Sequence, residues 1–251
     1  MNPDVESIER ATQDAFPPLA TEELPGWLLG LDPGKVGRAH SAAPLQHTEP
    51  DRAAVASIEG RFMEFELSPV FRIPTDSRFK GVRDELTKRG FVAKQPTQVQ
   101  VGTARAMAQL PRGLGAGASV NLTAAPNQAW MSVFLNEGFD PVDGASRTQI
   151  LARARQAAFA TVYVEGQAVA AGAASFSHGW ASVHGMRTVP GHSGLGLASR
   201  ILCAFASEAQ ARGFEPVFLQ VEAANTRARL LYGRAGFSLA WTYEYWRKPA
   251  L

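Results

Sequence analysis

Two segments of the sequence combine residue types that can bind a phosphate and transfer a proton. The first runs from Met186 to Ala198 and places Gly194 and Gly196 before an amphipathic stretch. Glycines at a helix start let an anion approach free backbone amides, where the helix dipole also favours negative charge. No lysine follows the glycines, so a P-loop is excluded. Taken alone, this segment predicts either a pyrophosphate site or a purely structural turn.

A dinucleotide-binding fingerprint is the other reading of these glycines. The run from Gly194 to Ser199 approaches G-x-G-x-x-G, but its third glycine is replaced by Ser199. No acidic residue closes a strand about 20 residues further on, as that fingerprint requires. The glycines also come late in the chain, after several predicted strands. The fingerprint is therefore incomplete.

The second segment runs from Leu219 to Phe237 and places Asn225 seven residues before Tyr232. Together, the two segments resemble the GNAT superfamily of acyl-CoA-dependent N-acyltransferases. The family pattern Q/R-x-x-G-x-G/A is matched, except at its first residue, by the run SGLGLA that begins at Ser193. The pattern A-x-x-L-Y-x-x-x-G-F is matched by the run that begins at Ala228. The resemblance covers about residues 119–248.

The resemblance implies a division of labour around acetyl-CoA as the acyl donor. Backbone groups of Met186 and Thr188 would hold the acyl carbonyl and the pantetheine arm, and the amides from Ser193 to Ala198 would hold the pyrophosphate. Asn225 would bind the pantetheine arm or its surroundings, and Tyr232 would protonate the departing thiolate, which a phenol can do. The implied coenzyme-binding residues are Met186, Arg187, Thr188, Ser193, Gly194, Leu195, Gly196, Leu197, Ala198 and Asn225.

Two departures from the family pattern affect this expectation. Ser193 stands where the family usually has arginine or glutamine, which removes one polar contact to the pyrophosphate. Gln220 stands where some members carry a glutamate base, and an amide cannot accept a proton at pH 7. Glu222 lies on the same strand face by period-two alternation and is the candidate base. His184 is a second candidate, although a histidine in a strand is more often half-buried or solvated.

The resemblance thus implies an N-acetyltransferase that moves an acetyl group from acetyl-CoA to a primary amine. The alternative is a CoA-binding sensor or scaffold without catalysis, which the departures at Ser193 and Gln220 would favour. The acceptor can be a small molecule or a peptide, and the sequence does not identify it. The oligomeric state is also left open.

Composition excludes several other classes of protein. The 251 residues carry a net charge of +2, and no basic stripe indicates nucleic-acid binding. No apolar run approaches the roughly 20 residues that span a bilayer, and the acidic start resembles no signal peptide. Cys203 is the single cysteine, predicted to be a core residue, and the histidines lack metal-ligand spacing. We therefore expect a soluble, cytoplasmic protein without a metal or a membrane partner.

The order of predicted elements indicates a mixed α/β fold. Periodicity and turn signals in the second half predict six strands and four helices. The last strand is rich in aromatic residues, which we interpret mainly as packing with one edge near the acceptor. The predicted strands are 119–123, 158–164, 168–176, 180–189, 217–222 and 239–247, of which the second and third form a hairpin, and the predicted helices are 126–134, 145–156, 194–212 and 226–235.

The chain divides in two at a segment rich in small residues. We predict a degenerate GNAT-like domain at 1–102, an exposed linker at 103–118 and an acetyl-CoA-binding GNAT domain at 119–251. Each domain should have a mixed, mostly antiparallel sheet flanked by helices. Pro69-Val-Phe recurs at residue 216 and Lys88-Arg-Gly-Phe recurs, with changes at its first two residues, at residue 234. Two matches at nearly the same offset indicate an internal duplication.

The duplication allows the two halves to be compared residue by residue. The position equivalent to Tyr232 is Leu86, which has no proton to donate. The segment equivalent to the glycine turn, 45–55, has no glycine and carries Glu49 and Asp51, which would repel a pyrophosphate. We therefore predict that one CoA binds per chain, in the second half.

Overall fold

The computed structural model describes residues 4–48, 50–111, 117–136 and 140–249. Both halves of the described chain contain helices and strands. In chain order they are α1 (Val5–Ala15), β1 (Ala20–Leu24), β2 (Trp27–Leu31), β3 (Ser41–Pro44), α2 (Ala54–Glu64), β4 (Val70–Pro74), α3 (Lys80–Lys88), β5 (Val92–Thr103), α4 (Ala104–Ala108), β6 (Ser119–Thr123), α5 (Gln128–Phe134), α6 (Pro141–Leu151), β7 (Ala157–Val164), β8 (Gln167–Ser177), β9 (Trp180–Thr188), α7 (Leu197–Ala211), β10 (Pro216–Glu222), α8 (Thr226–Arg234) and β11 (Ser238–Arg247).

The strands of the described residues form one sheet in the order β1-β2-β3-β4-β11-β5-β10-β9-β8-β7-β6. Only the pairs β3–β4 and β9–β10 are parallel within it. Alternate residues of β7 face different cores: Ala158 and Ala160 pack with α7, whereas Ala157 and Phe159 pack with α5. Helices therefore cover both faces. The predicted mixed, mostly antiparallel α/β fold is confirmed.

The two halves exchange their last strands. β5, from the first half, lies between β11 and β10, and β11, from the second half, lies between β4 and β5. Trp246 of β11 packs in the core of the first half with Trp27 and Phe71. The sheet is therefore continuous, and a cut at 102 or 119 would not separate two complete sheets.

The repeated sequence matches fall on equivalent elements. β4–α3–β5 in the first half has the same order as β10–α8–β11 in the second. Gly90 and Gly236 follow the two helices with φ of 82° and 84°, a left-handed conformation that glycine adopts without strain. These features support the duplication, which remains a prediction.

The predicted linker needs correction. Thr103 ends β5, and the next residues form α4, with Thr103 as its N-cap. Ala104 and Met107 are fully buried and pack in the core of the second half. The small residues of this segment allow close helix packing instead of indicating an exposed connection. Residues 112–116 lie outside the described residues.

Two predicted helices begin at different residues in the structure. α6 begins at Pro141 because the Asp140 side chain caps the amides of Val142 and Asp143 and proline suits the first helical turn. α7 begins at Leu197, because Gly194 and Gly196 adopt positive φ angles and form a turn instead of the first helical residues. The other predicted strands and helices of the second half lie within a few residues of the observed elements.

Helix α1 connects the two halves beside the site described below. Its Glu9 forms a buried ion pair with Arg72 of β4 at 2.5 Å, and both side chains are only 4% exposed. One turn later, Thr12 accepts a hydrogen bond from Gln220 Nε2 of β10 at 2.8 Å. Because a buried charge needs its partner, this pair fixes where α1 lies. No helix in the described parts of the chain has both the length and the apolar character that crossing a membrane requires.

Candidate active site

A cavity of about 660 Å³ opens where β9 and β10 separate. The two strands pair only from Ala181–Val217 to Val183–Leu219, and both continue beyond that point. β9 stays paired to β8 on its other side, with a bulge at Gly185, whose φ is +56°. The backbone groups of β9 that face β10 beyond Val183 are therefore available to an extended ligand.

The glycine turn forms one end of this cavity. Gly194 and Gly196 have φ of 89° and 76°, and Gly196 is the N-cap of α7 but has no side chain to cap it. Within the described chain, no acceptor bonds the amides of Leu197, Ala198 and Ser199, the first three residues of α7. The turn therefore presents free amides at the positive end of a helix dipole, which suits a phosphate.

A cation that the sequence motifs did not single out lies beside the turn. Nη2 of Arg227, near the start of α8, is 3.9 Å from the position that a Cβ on residue 194 would occupy. Arg227 lines the cavity and forms no ion pair with the described residues. It can therefore supply the charged pyrophosphate contact that is lost where Ser193 replaces arginine.

The cavity brings together almost all of the predicted site residues. Leu195 is the exception: it is 43% exposed and does not line the cavity. Arg187 contributes through its backbone, because its guanidinium bonds to Asp143 and to the Phe134 carbonyl. The predicted residues that line the cavity are Met186, Arg187, Thr188, Ser193, Gly194, Gly196, Leu197, Ala198, Glu222, Asn225 and Tyr232.

Tyr232 lies on the cavity wall and is 8% exposed. Its ring packs edge-on against Phe237, with the ring centroids 6.0 Å apart. Burial raises the pKa of Tyr232 to about 12, above the ordinary phenol value of 10.0. The phenol therefore keeps its proton at neutral pH and is available as a donor.

Asn225 has a structural role that the family resemblance did not suggest. Its Oδ1 accepts a hydrogen bond from the Ala228 amide at 3.1 Å, so it is the N-cap of α8. The sequence signal was present, since asparagine followed by a helical run is a common helix start. The cap holds the first turn of α8, and with it Arg227, beside the glycine turn.

The two candidate bases and Gln220 have distinct environments. Glu222 is exposed, lines the cavity and accepts a hydrogen bond from Gln95 Nε2 at 2.6 Å. Gln220 is held between Thr12 and the Tyr243 hydroxyl, which donates to its Oε1 at 2.8 Å. His184 is 3% exposed, which corrects the expectation of a half-buried or solvated ring. Burial lowers the pKa of His184 well below 6.5, so its ring is neutral at pH 7.

A second cavity, of about 270 Å³, joins the first one. Its walls come from the segment around Arg38, from α6 and from the three central strands β5, β10 and β11. Arg38, Arg147, Gln220 and Glu222 line both cavities and mark their junction. Tyr243 and Tyr245 line the second cavity, so one edge of the aromatic strand does face it, while Trp246 packs in the core.

One buried and one half-buried histidine, His184 and His47, should destabilise the protein in acid. Burial lowers the pKa of His184, and burial together with Arg78 lowers that of His47 to about 4. Unfolded histidine takes up a proton near pH 6.5, so the free energy of unfolding should fall as pH drops from 6.5 toward 4. The decrease in the free energy of unfolding is at most about 1.4 kcal/mol per pH unit for each histidine, which corresponds to roughly 3–6 °C in Tm.

Thermal unfolding between pH 7.5 and 4.5 measures this effect. His47→Gln should flatten the dependence of Tm on pH. His178→Gln is the matched control, because His178 lies at the surface beside Asp14 with 40% of its side chain exposed. Equal slopes for wild type and His47→Gln would contradict the assignment.

Comparisons with known proteins agree with this geometry. Residues 3–246 match the family model described as "Probable histone acetyltransferase Rv0428c C-terminal". The chain belongs to this family. It is also 24% identical over 250 residues to a Bacillus subtilis (strain 168) protein named "Uncharacterized N-acetyltransferase YobR", covering 96% of this chain and 98% of that one. The prediction of a GNAT-type N-acyltransferase is thereby confirmed.

Solved structures share the GNAT fold along nearly the whole chain. A GCN5-related N-acetyltransferase from Kribbella flavida superposes with a TM-score of 0.72 at 15% identity, covering 98% of this chain and 96% of that one. A tandem GNAT protein from the clavulanic acid biosynthesis pathway gives 0.66 at 14% identity, covering 97% and 89%. At these identities, the likeness concerns the fold, and the roles of individual residues in this GNAT chain remain predictions.

Proposed function

We propose that the protein transfers an acetyl group from acetyl-CoA to a primary amine. The observation that carries the proposal is that one cavity contains both the free amides of the glycine turn and the buried phenol of Tyr232. The free amides of the helix start can bind the pyrophosphate of acetyl-CoA, and the phenol can protonate the sulfur that leaves when the thioester breaks.

The cavity suits the substrate in size and charge. The unpaired edge of β9 offers backbone donors and acceptors to the amide groups of a pantetheine arm. The turn offers amides to the pyrophosphate, and Arg227 and Arg234 add positive charge along the same wall. The phosphates of acetyl-CoA carry the opposite charge, so complementarity is electrostatic as well as steric.

The proposed reaction is acyl transfer with two proton movements. The lone pair of a neutral amine attacks the thioester carbonyl carbon, a C–N bond forms and the C–S bond breaks. The amine nitrogen loses a proton to Glu222, directly or through water, and the leaving sulfur gains the proton of Tyr232. Backbone amides of β9 near Met186 stabilise the negative charge that develops on the carbonyl oxygen.

Acetyl-CoA should stabilise the folded protein. At a concentration 100-fold above Kd, binding adds about 2.7 kcal/mol to the free energy of unfolding. For a chain of this size, we expect Tm to rise by roughly 5–11 °C. Release of free thiol in the presence of a panel of amines then separates catalysis from binding alone.

Arg227→Ala tests whether Arg227 contributes to the binding of acetyl-CoA. Loss of one exposed cation should raise the Kd of acetyl-CoA by about 3- to 10-fold, with a larger effect at low salt. Lys88→Ala is the matched control, because Lys88 is exposed and lies on α3, the equivalent helix of the first half. The absence of both a thermal shift and calorimetric binding at millimolar acetyl-CoA would refute the proposed function.

A further inference from the structure

The second cavity holds cations that lack acidic partners. Arg38 lies at the junction with the first cavity, with its guanidinium 4.4 Å from the centroid of the Phe16 ring. No carboxylate in the described residues forms an ion pair or hydrogen bond with it. Burial lowers the pKa of Arg38, and only the phenols of Tyr243 and Tyr245 oppose that shift. A cation this poorly compensated favours an anionic ligand.

Arg247 reaches the same cavity from the end of β11. Its guanidinium lies 5.1 Å from the centroid of the Tyr245 ring, and its Nε is buried with no hydrogen-bond partner in the described chain. A Cβ on Gly37 would lie 2.9 Å from Arg247 Nη2 and 2.6 Å from Tyr245 Cε1. The glycine next to Arg38 is therefore what lets Arg247 pack here.

The acidic groups of this cavity do not neutralise it. Asp143 is shared by Arg147 and Arg187, at 2.8 and 2.7 Å. Glu222, at the junction, accepts a hydrogen bond from Gln95. The lining therefore has four cationic side chains against two carboxylates, and one of those carboxylates is fully engaged by arginines. The basic residues are Lys35, Arg38, Arg147 and Arg247.

We propose that the acceptor is a small amine with a carboxylate next to the reacting nitrogen, as in an α-amino acid, and that Arg38 and Arg247 bind this carboxylate. The inference rests on the proposed function and names its substrate class. Planar guanidinium groups match a carboxylate with two parallel hydrogen bonds. Arg38 lies at the junction, so the carboxylate it holds is close to the thioester, and Glu222 on the same wall faces the amine.

The same charges argue against a basic polypeptide as the acceptor. A lysine-rich segment brings several positive charges toward a cavity that is already positive, and like charges repel. A lysine side chain in a polypeptide also lacks a carboxylate beside its amine, which would leave Arg38 and Arg247 without a partner. A free amino acid supplies a carboxylate beside its amine and does not bring the several positive charges of a lysine-rich segment.

Matched substrate pairs test the inference. Each of the common α-amino acids is assayed against its primary carboxamide, which keeps the amine and side chain but removes the negative charge. For the preferred side chain, kcat/KM should be about 10- to 100-fold higher for the acid, as expected for charge-assisted hydrogen bonds. The amine of the carboxamide is less basic and thus more often neutral, so amine reactivity alone would favour the carboxamide.

Variants then assign the preference to the two arginines. In Arg38→Gln and in Arg247→Gln, the ratio of kcat/KM between acid and carboxamide should fall toward one. Arg38→Lys should restore the ratio only in part, because lysine keeps the charge but lacks the planar fork. Lys80→Gln is the control: Lys80 is 75% exposed, pairs with Asp84 on α3 and should keep the wild-type ratio.

The outcomes separate this inference from the proposed function. Equal or greater kcat/KM for carboxamides, for lysine-rich peptides or for an aminoalkyl phosphate would overturn the carboxylate assignment while acetyl transfer stands. An acid preference that survives both glutamine variants would also overturn it. Failure to bind acetyl-CoA would instead remove the proposed function, and the inference with it.

Discussion

Tyr232→Phe should slow acetyl transfer by about 10²- to 10⁴-fold while acetyl-CoA still binds, if its phenol protonates the leaving sulfur. The substitution removes one oxygen and keeps the ring that packs against Phe237. Because burial raises the pKa of Tyr232 to about 12, its ionisation should produce no falling limb in kcat between pH 6 and 10. Single-turnover thiol release, together with calorimetric binding, measures both quantities.

The control for this variant is Tyr163→Phe. Tyr163 lies on β7 and lines neither cavity, so its loss should leave kcat unchanged. An unchanged kcat in Tyr232→Phe, under conditions where chemistry limits turnover, would exclude the phenol from the mechanism.

Glu222→Gln tests whether Glu222 accepts the proton that the amine loses. If Glu222 accepts the proton of the amine, this variant should slow acetyl transfer by about 10²- to 10⁴-fold while acetyl-CoA still binds. Gln95 can still hydrogen-bond the new amide, so the local structure should survive. Acetyl transfer by this variant at the wild-type rate, under conditions where chemistry limits turnover, would assign the base elsewhere.

Gly196→Trp should abolish acetyl-CoA binding, and the wild-type chain should bind one molecule. Gly196 caps α7 at a φ of 76° and lines the cavity, so an indole there would cover the free amides that follow it. Titration calorimetry should give a stoichiometry near one for wild type and no heat for the variant.

Gly213→Trp is the matched control for backbone strain. Gly213 follows the other end of α7 at a φ of 79°, with no atom within 4 Å of the position that a Cβ would occupy. Both variants carry a side chain at positive φ, which costs about 1–2 kcal/mol. Gly213→Trp should therefore lose similar stability and still bind acetyl-CoA.

The expected stoichiometry follows from the first half of the chain. Leu86, the residue equivalent to Tyr232, is fully buried in the core of that half. Asp51 accepts a hydrogen bond from the Ala53 amide just before α2, so a carboxylate already occupies that helix start. Glu49 lies outside the described residues. Two equivalent binding sites, or binding that survives Gly196→Trp, would show that the duplication was interpreted wrongly.

Local signals predicted the elements of the second half well. Hydrophobic periodicity and glycine stops marked α7 and α8, and the Glu165-Gly166 turn, with φ of 53° and 80°, marked the hairpin. The glycine turn and Tyr232 were found because each belongs to a short contiguous motif. The first part of the predicted linker, residues 103–110, was misread, because composition alone does not distinguish an exposed segment from small residues that pack closely.

The sequence could not predict the second cavity, which is the proposed acceptor side of the site. Arg38, Arg147 and Arg247 are far apart in the chain, and only the sheet order and α6 bring them to one cavity. Their spacing follows no local period, so no sequence pattern marks them. Arg227 was missed for a related reason: its position beside Gly194 depends on how α8 packs near α7.

The exchange of last strands also governs when the molecule can fold during synthesis. Residues leave the ribosome from the N-terminus onward, and early domains usually fold before later ones appear. Here, β4 meets β5 only through β11, which comes from the final stretch of the chain. In an emerging first half, β4 therefore lacks a partner on one edge and β5 lacks partners on both, and unpaired edges are prone to aggregation. Completion of the sheet must wait until β11 has left the ribosome, and a truncated chain that lacks residues 238–247 should depend strongly on chaperones.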